Sequence, residues 1–287
     1  MISLLSTKIP LRFLCRYFGV SPSSYYFWKK NRECKRLVSK RKILLLIEEI
    51  FKGSKSTYGS PRIYQELISK GIDISENTVA KYMAELNFKA SQKRQFKVQT
   101  TDSNHVDPIA PRLFKVESEH ALPTGPGQVL AGDITYLRIG PRFIYLAVVI
   151  DLFNREVLGW SISKNLETGI VLRALDYSMK KVGPNAQIIF HSDRGAQYAS
   201  EAYRNFLKNK NITPSMSRRG NCYDNAYVES WFASLKKEWI YRQKYSTEAE
   251  LRGLVFEYIE TWYNKRRRHS SLGYLSPEMY KQAIRPA

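Results

Sequence analysis

From Val129 onward the periodicity of the chain changes, and the order of the changes restricts what it can fold into. Three runs rich in β-branched and aromatic residues, 129–137, 143–151 and 156–163, are separated by the turn signals Gly140-Pro141 and Asp151 to Arg155. They predict an antiparallel meander. A helical pattern over 167–181 follows, then a short buried strand over 187–191, a helix over 201–210, a strand around Ile212 and a long helix over 225–239. Strands that begin as a meander and then alternate with helices predict an α/β domain, a mixed five-stranded sheet with helices on it.

That order resembles the ribonuclease-H-like fold, and three carboxylates fall at informative places in it. Asp133, in Gly-Asp-Ile-Thr-Tyr, lies in the middle of the first strand; Asp193, in His-Ser-Asp-Arg-Gly, lies just after the fourth. Those two strands are neighbours in such a fold. On the long helix, Val228, Trp231, Phe232, Leu235 and Trp239 make a buried stripe, and Asn225, Glu229, Ala233 and Lys236 line the adjoining face. Glu229 can therefore turn toward the aspartates. Three carboxylates can hold two Mg²⁺ ions about 3.5–4 Å apart, one at the attacking and one at the leaving oxygen of an in-line displacement at phosphorus. Taken singly, each would read as a solvated acid or a helix cap; together they point to a metal site. Lys236, two turns beyond Glu229, is either a contact to a DNA phosphate or base near the scissile bond or an ordinary surface lysine.

The N-terminal part is strongly basic. The chain carries a formal net charge of +20 over 287 residues, with +13 in residues 1–115 and +7 in 116–287. Such an excess is the electrostatic footprint of a phosphate-binding partner. Residues 1–36 hold two short helical patterns around Gly19, with Ser21 as a cap and Pro22 at the first helical position, readable as a helix-turn-helix or a plain helical hairpin. Residues 37–90 hold three stripes: Ile43, Leu46, Ile47 and Ile50; Ile63, Leu67 and Ile68; and Val79, Tyr82, Met83 and Leu86. With Gly71 before the third stripe and Ser75 placed to cap it, this is the layout of a helix-turn-helix, the alternative being a three-helix bundle with a solvated face. Glu76, Asn77, Thr78 and Lys81 are then candidates for the major groove and Arg62 for a phosphate. Residues 91–127, with Pro108, Pro111, Pro123 and Pro126, are expected as a linker, and 128–287 as the catalytic core with a basic C-terminal segment.

Several readings are excluded or stay modest. No apolar run approaches a membrane span, and Cys15, Cys34 and Cys222 are too scattered for a disulfide framework or a zinc site. A cytoplasmic protein is expected. Asp151 reads as a turn residue, His191 as packed and hydrogen-bonded at a strand end, and Asp224 as the cap of the long helix. Lys265, Arg266, Arg267 and Arg268 form either a solvated face or a second phosphate-binding patch, and four consecutive cations favour DNA.

The motifs Gly-Asp-Ile-Thr-Tyr, His-Ser-Asp-Arg-Gly-Ala-Gln-Tyr, Asn-Cys-Tyr-Asp-Asn-Ala-Tyr-Val-Glu-Ser and Tyr-Asn-Lys-Arg-Arg-Arg-His-Ser-Ser-Leu-Gly-Tyr-Leu-Ser-Pro occur in this order. In them the chain resembles the second-frame product of bacterial insertion-sequence transposases made from two overlapping reading frames. The resemblance extends to Tyr58-Gly59 and Arg62-Ile63 in the helix-turn-helix and to 101–111 in the linker. One departure is Leu130, where the family usually has Trp three residues before the first Asp; another is Arg112, where Asn commonly follows the proline. The resemblance implies a DDE-type transposase in which Asp133, Asp193 and Glu229 bind Mg²⁺, with Mn²⁺ able to substitute. Water would release a 3′-hydroxyl at the element end, and that hydroxyl would attack a second phosphodiester. It also implies the element's terminal inverted repeats and target DNA as partners, a homo-oligomer on DNA, and an upstream-frame product as fusion or partner. A catalytically inactive DNA-binding remnant or repressor of the element is the alternative function. A simple nuclease leaves the N-terminal modules unexplained.

Overall fold

The computed structural model describes residues 2–7, 9–30, 35–90, 110–111, 113, 123–183, 187–217 and 225–284. They fall into two compact units, divided between Ala90 and Ser91.

In the second unit, strands β1 (Val129–Ile139), β2 (Arg142–Asp151) and β3 (Val157–Ser163) form the antiparallel meander. The turn between β1 and β2 uses Gly140 at φ +55°, a conformation that glycine adopts without a Cβ penalty. Helix α7 (Thr168–Val182) then crosses the sheet and leads into β4 (Ile188–Ser192), which lies parallel to β1. Helices α8 (Ala196–Ala199) and α9 (Glu201–Asn209) precede β5 (Ile212–Met216), parallel to β4. The sheet order is β3-β2-β1-β4-β5. This is the five-stranded mixed sheet of a ribonuclease-H-like core, as the sequence pattern required.

One core joins these layers, among them Leu130, Val149, Leu158, Ile170, Leu175, Phe190 and Tyr203. Close approach decides two positions. A Cβ on Gly132 would collide with the Phe190 ring, and one on Gly159 would collide with the backbone carbonyl of Ala174 in α7. At Leu130 the side chain is fully buried and the residue is paired across the strands with Phe190.

Helix α10 (Ala226–Glu238) packs on β1 through Val228, Trp231, Phe232 and Leu235, and a 3-10 turn, Ile240–Arg242, follows it. The predicted cap Asp224 lies outside the described residues. Helix α11 (Glu248–Phe256) opens with a capping box between Thr247 and Glu250 and continues as a π-helical segment, Glu257–Tyr263. Its aromatic residues pack beneath α10: Tyr258 and Tyr263 meet Trp231 edge-on, and Trp262 stacks on Trp239. Asn264, just beyond, accepts from the N–H of Val157 at 2.9 Å and donates to its carbonyl at 3.0 Å. A side-chain amide thus pairs with the outer edge of β3, which would otherwise be open to another strand. Helix α12 (Pro277–Ala283) ends the described chain.

The predicted linker begins outside the described residues, but part of it is held in place. The carbonyl of Pro111 accepts from the N–H of Met216, and the N–H of Leu113 donates to Ser215 at 3.0 Å. These contacts cover the end of β5.

In the first unit, α1 (Ile2–Leu5), α2 (Leu11–Tyr17) and α3 (Pro22–Lys30) precede α4 (Lys35–Gly53), α5 (Ser60–Ser69) and α6 (Glu76–Glu85). The expected stripes pack together in α4 to α6, with Ile47, Ile63, Leu67 and Val79 fully buried, except that Ile68, expected in the second stripe, is exposed. Ser75 caps α6 by accepting from the N–H of Thr78. Among the described residues, no helix is long and apolar enough to cross a membrane.

Candidate active site

The pairing of β1 with β4 brings the two aspartates together. Val129, Leu130 and Ala131 lie opposite Ile189, Phe190 and His191. Two more steps along that register put Asp133 opposite Asp193, where β4 has ended and the neighbouring edge of β1 is open. Glu229 enters from α10, in the first turn of the helix.

The electrostatics describe the same corner. Burial, then the like charge of Asp193 and, more weakly, that of Glu229, hold the Asp133 carboxyl well above the usual carboxylate range. The N–H of Ile134 donates to it at 2.7 Å and acts the other way. Asp193 accepts from the N–H of Gly195 at 3.0 Å, which fixes its carboxylate at the start of the loop into α8. Beneath both aspartates lies the buried ring of Tyr198, whose hydroxyl burial and the two aspartates push far up, so it stays protonated. Lys236 donates to the Thr135 hydroxyl at 2.7 Å and sits 4.8 Å from the centre of the Tyr136 ring. Burial draws its ammonium below the ordinary value, and Asp133 opposes that. It is therefore part of the corner and not an ordinary surface lysine.

The donors are all carboxylate oxygens, which suit a hard cation, and their mutual repulsion is what a divalent ion would relieve. Among the described residues, however, no group of three His, Cys, Asp or Glu side chains is gathered closely enough to hold a metal ion as it stands.

Similar proteins are known over most of the chain. Integrase core domain models match residues 123–222 and 210–277, and an HTH-like domain model matches residues 39–96. Transposase InsF for insertion sequence IS3A of Escherichia coli (strain K12) is 37% identical over 276 residues, which cover 96% of this chain and 94% of that protein. The chain belongs to the insertion-sequence transposase family. The insertion element IS600 uncharacterized 31 kDa protein of Shigella sonnei is 35% identical, over 94% of this chain and 97% of its own length. Among solved structures, the simian T-cell lymphotropic virus intasome aligns over 84% of this chain and 76% of its own, at 12% identity and a TM-score of 0.47. The catalytic domain of Mos1 mariner transposase aligns over 55% and 76%, at 15% and 0.43. The protein is a DDE-type enzyme that cleaves DNA and transfers strands, with a metal cofactor as in its family.

Elsewhere in the transposase, some expectations from the sequence need correction. Arg267 and Arg268 do not form a phosphate-binding patch. Arg267 is buried in an ion pair with Glu238, and Arg268 is buried and donates to the carbonyl of Tyr274 at 3.0 Å. Only Lys265 and Arg266 are exposed, and Lys265 borders a mixed-charge cavity with Glu156, Glu260 and Glu278. In the helix-turn-helix, Asn77 and Lys81 are exposed, whereas Thr78 is half-buried with its hydroxyl bonded to that of Ser75 at 2.8 Å. Thr78 thus belongs to the cap of α6. Arg62 lies 5.5 Å from the Tyr58 ring centre.

His191 is fully buried, with its two ring nitrogens on the Ser215 and Ser217 hydroxyls at 2.9 and 3.1 Å. Asp151 holds its turn through the N–H of Phe153 and also accepts from the N–H of Gly127, so it ties the segment before β1 to the end of β2. Reading the sequence alone missed Thr135 and Tyr198 as parts of the site. Both stand inside its motifs, but only the pairing of β1 with β4 and the packing of α10 show what they touch.

Proposed function

We propose that Asp133, Asp193 and Glu229 are the metal-binding catalytic triad of this transposase. The carrying observation is that Asp133 lies opposite Asp193 at the open edge of β1, with Glu229 near enough for its charge to act on the Asp133 carboxyl. Magnesium held there, or manganese in its place, would polarise the scissile phosphodiester and the attacking oxygen. In the first step water attacks phosphorus at the element end, and the 3′-oxygen leaves with the bonding electrons and takes up a proton. In the second, that 3′-hydroxyl loses its proton and attacks a target phosphodiester, whose own 3′-oxygen departs. Asp133 and Asp193 hold fixed positions because the strands and the Ile134 and Gly195 N–H groups orient them. Glu229, on a separate helix, would supply the third carboxylate to the metal. Lys236 holds a phosphate oxygen next to the reacting bond.

Residues 37–90 form the helix-turn-helix that grips the element's terminal inverted repeats, with Arg62 on phosphate and Asn77 and Lys81 at the groove. Residues 1–36 are a smaller helical module, 91–127 the linker, and 128–287 the core. Lys265 and Arg266 remain as the DNA-facing members of the C-terminal run. The protein works in the cytoplasm as a homo-oligomer that brings two ends together, and an upstream-frame product is its fusion or partner.

The test is Mg²⁺-dependent cleavage and strand transfer on the element's own end DNA, wild type against Glu229→Gln. Products from the wild type alone, with DNA binding retained by the variant, support the triad. Specific binding by both without products from either would leave a DNA-binding remnant.

A further inference from the structure

A strip of aromatic side chains runs away from the corner occupied by Lys236. Tyr136 lies under the Lys236 ammonium, and its ring meets that of Phe143 edge-on, with centroids 5.2 Å apart. Tyr241, in the turn after α10, lies near enough to Tyr136 that burial and then that neighbour raise its hydroxyl above the ordinary value. Tyr245 is shifted in the same way by burial and by Tyr241. Two elements distant in sequence, the β1–β2 hairpin and the segment after α10, thus contribute to one strip. Phe143 is 48% exposed and Tyr241 40%, so neither is a core residue. The cations around them, Arg142, Lys237, Arg242 and Lys244, are exposed.

Aromatic faces set among cations are the recognition chemistry of unpaired nucleic acid: the rings stack on bases and the cations follow the backbone. A paired duplex hides its base faces, so such a strip is of use only where the strands have separated. We propose that Tyr136, Phe143, Tyr241 and Tyr245 form a stacking site for unpaired bases of the DNA strand that ends at the Asp133–Lys236 corner. The occupant is single-stranded DNA, on the strength of charge complementarity and continuity with that corner. The inference rests on the reading of Asp133, Asp193 and Glu229 as the reacting centre.

The probe is an element-end duplex with a short single-stranded extension that carries 2-aminopurine, whose fluorescence falls on stacking. It is bound without metal by the full chain and by the Phe143→Ala, Tyr241→Ala double variant. Both positions are exposed, and the Tyr241→Phe variant keeps an aromatic face. Quenching by the wild type and by Tyr241→Phe is expected. In the double variant the quenching is lost and affinity for the extended end falls by about tenfold, the scale of one lost base stack. Affinity for a blunt duplex should be unchanged. Equal quenching and equal affinity in the double variant would overturn the stacking site. Mg²⁺-dependent cleavage of the same DNA reports separately on the catalytic reading. A wild type that quenches but does not cut keeps the strip and loses the triad, and one that cuts with no dependence on the strip does the reverse.

Discussion

Arg267 and Glu238 form a two-pronged ion pair, with Nε and Nη2 of the arginine 2.7 and 2.6 Å from the two carboxylate oxygens, the arginine buried and the glutamate largely so. The Tyr258 hydroxyl also reaches Glu238, at 3.4 Å, and the Tyr263 ring lies beside the guanidinium. The pair joins the end of α10, the helix that carries Glu229 and Lys236, to the chain after the π-helical segment. Arg267→Ala would take the one cation of the pair from a largely buried carboxylate, at a cost of about 3–5 kcal/mol. Replacing both partners by apolar residues of similar volume should cost much less. Denaturant unfolding of the single and double variants measures the difference. A double-variant loss equal to the sum of the two single losses would mean that the pair does not act as a unit.

Lys236→Ala tests the phosphate contact. If its ammonium holds a DNA phosphate, the slope of log affinity against log salt for end DNA should flatten by roughly one counterion. Cleavage should fall further than binding, because the residue lies beside Asp133. An unchanged slope would assign Lys236 to its bond with Thr135 alone.

Asp151 predicts a pH dependence of stability. Burial, against the two N–H groups it accepts from, pushes its carboxyl up from the ordinary 3.8 to about 6. A folded value above the unfolded one means that the folded state holds the proton more tightly. This contribution is therefore complete below the ordinary value, declines as pH rises toward 6, and is level beyond it. The expected size is roughly 2–3 kcal/mol, at about 1.4 kcal/mol per pKa unit. The unfolding free energy of the wild type, taken relative to Asp151→Asn, should therefore fall by that amount between about pH 4 and 7. A constant gap would contradict the shift.

In the helix-turn-helix, Lys81→Ala should weaken binding alike on specific and unrelated DNA. Asn77→Ala should relax preference at one base pair by about 1–3 kcal/mol. Ser75→Ala should instead cost about 1 kcal/mol of folding stability through loss of the cap. Competition binding and thermal unfolding separate the three, and a base-specific effect from Ser75→Ala would return its neighbour Thr78 to the groove.

The sequence by itself determined the order of β1 to β5 with α7, α9 and α10, the stripes that pack them, and the positions of Asp133, Asp193 and Glu229 on that frame. These follow from local periodicity: alternation marks β1 to β3, and the spacing of Val228, Trp231, Phe232 and Leu235 sets which way α10 turns Glu229. Tertiary structure alone decided which cations are available to DNA. Lys265 and Arg267 look equivalent as members of a basic run, yet Glu238, 29 positions earlier, buries one of them and not the other. It also brought Tyr241 beside Tyr136 and lined the aspartates with Tyr198. Contacts between distant segments depend on how whole elements pack, and neither local propensity nor spacing carries that information.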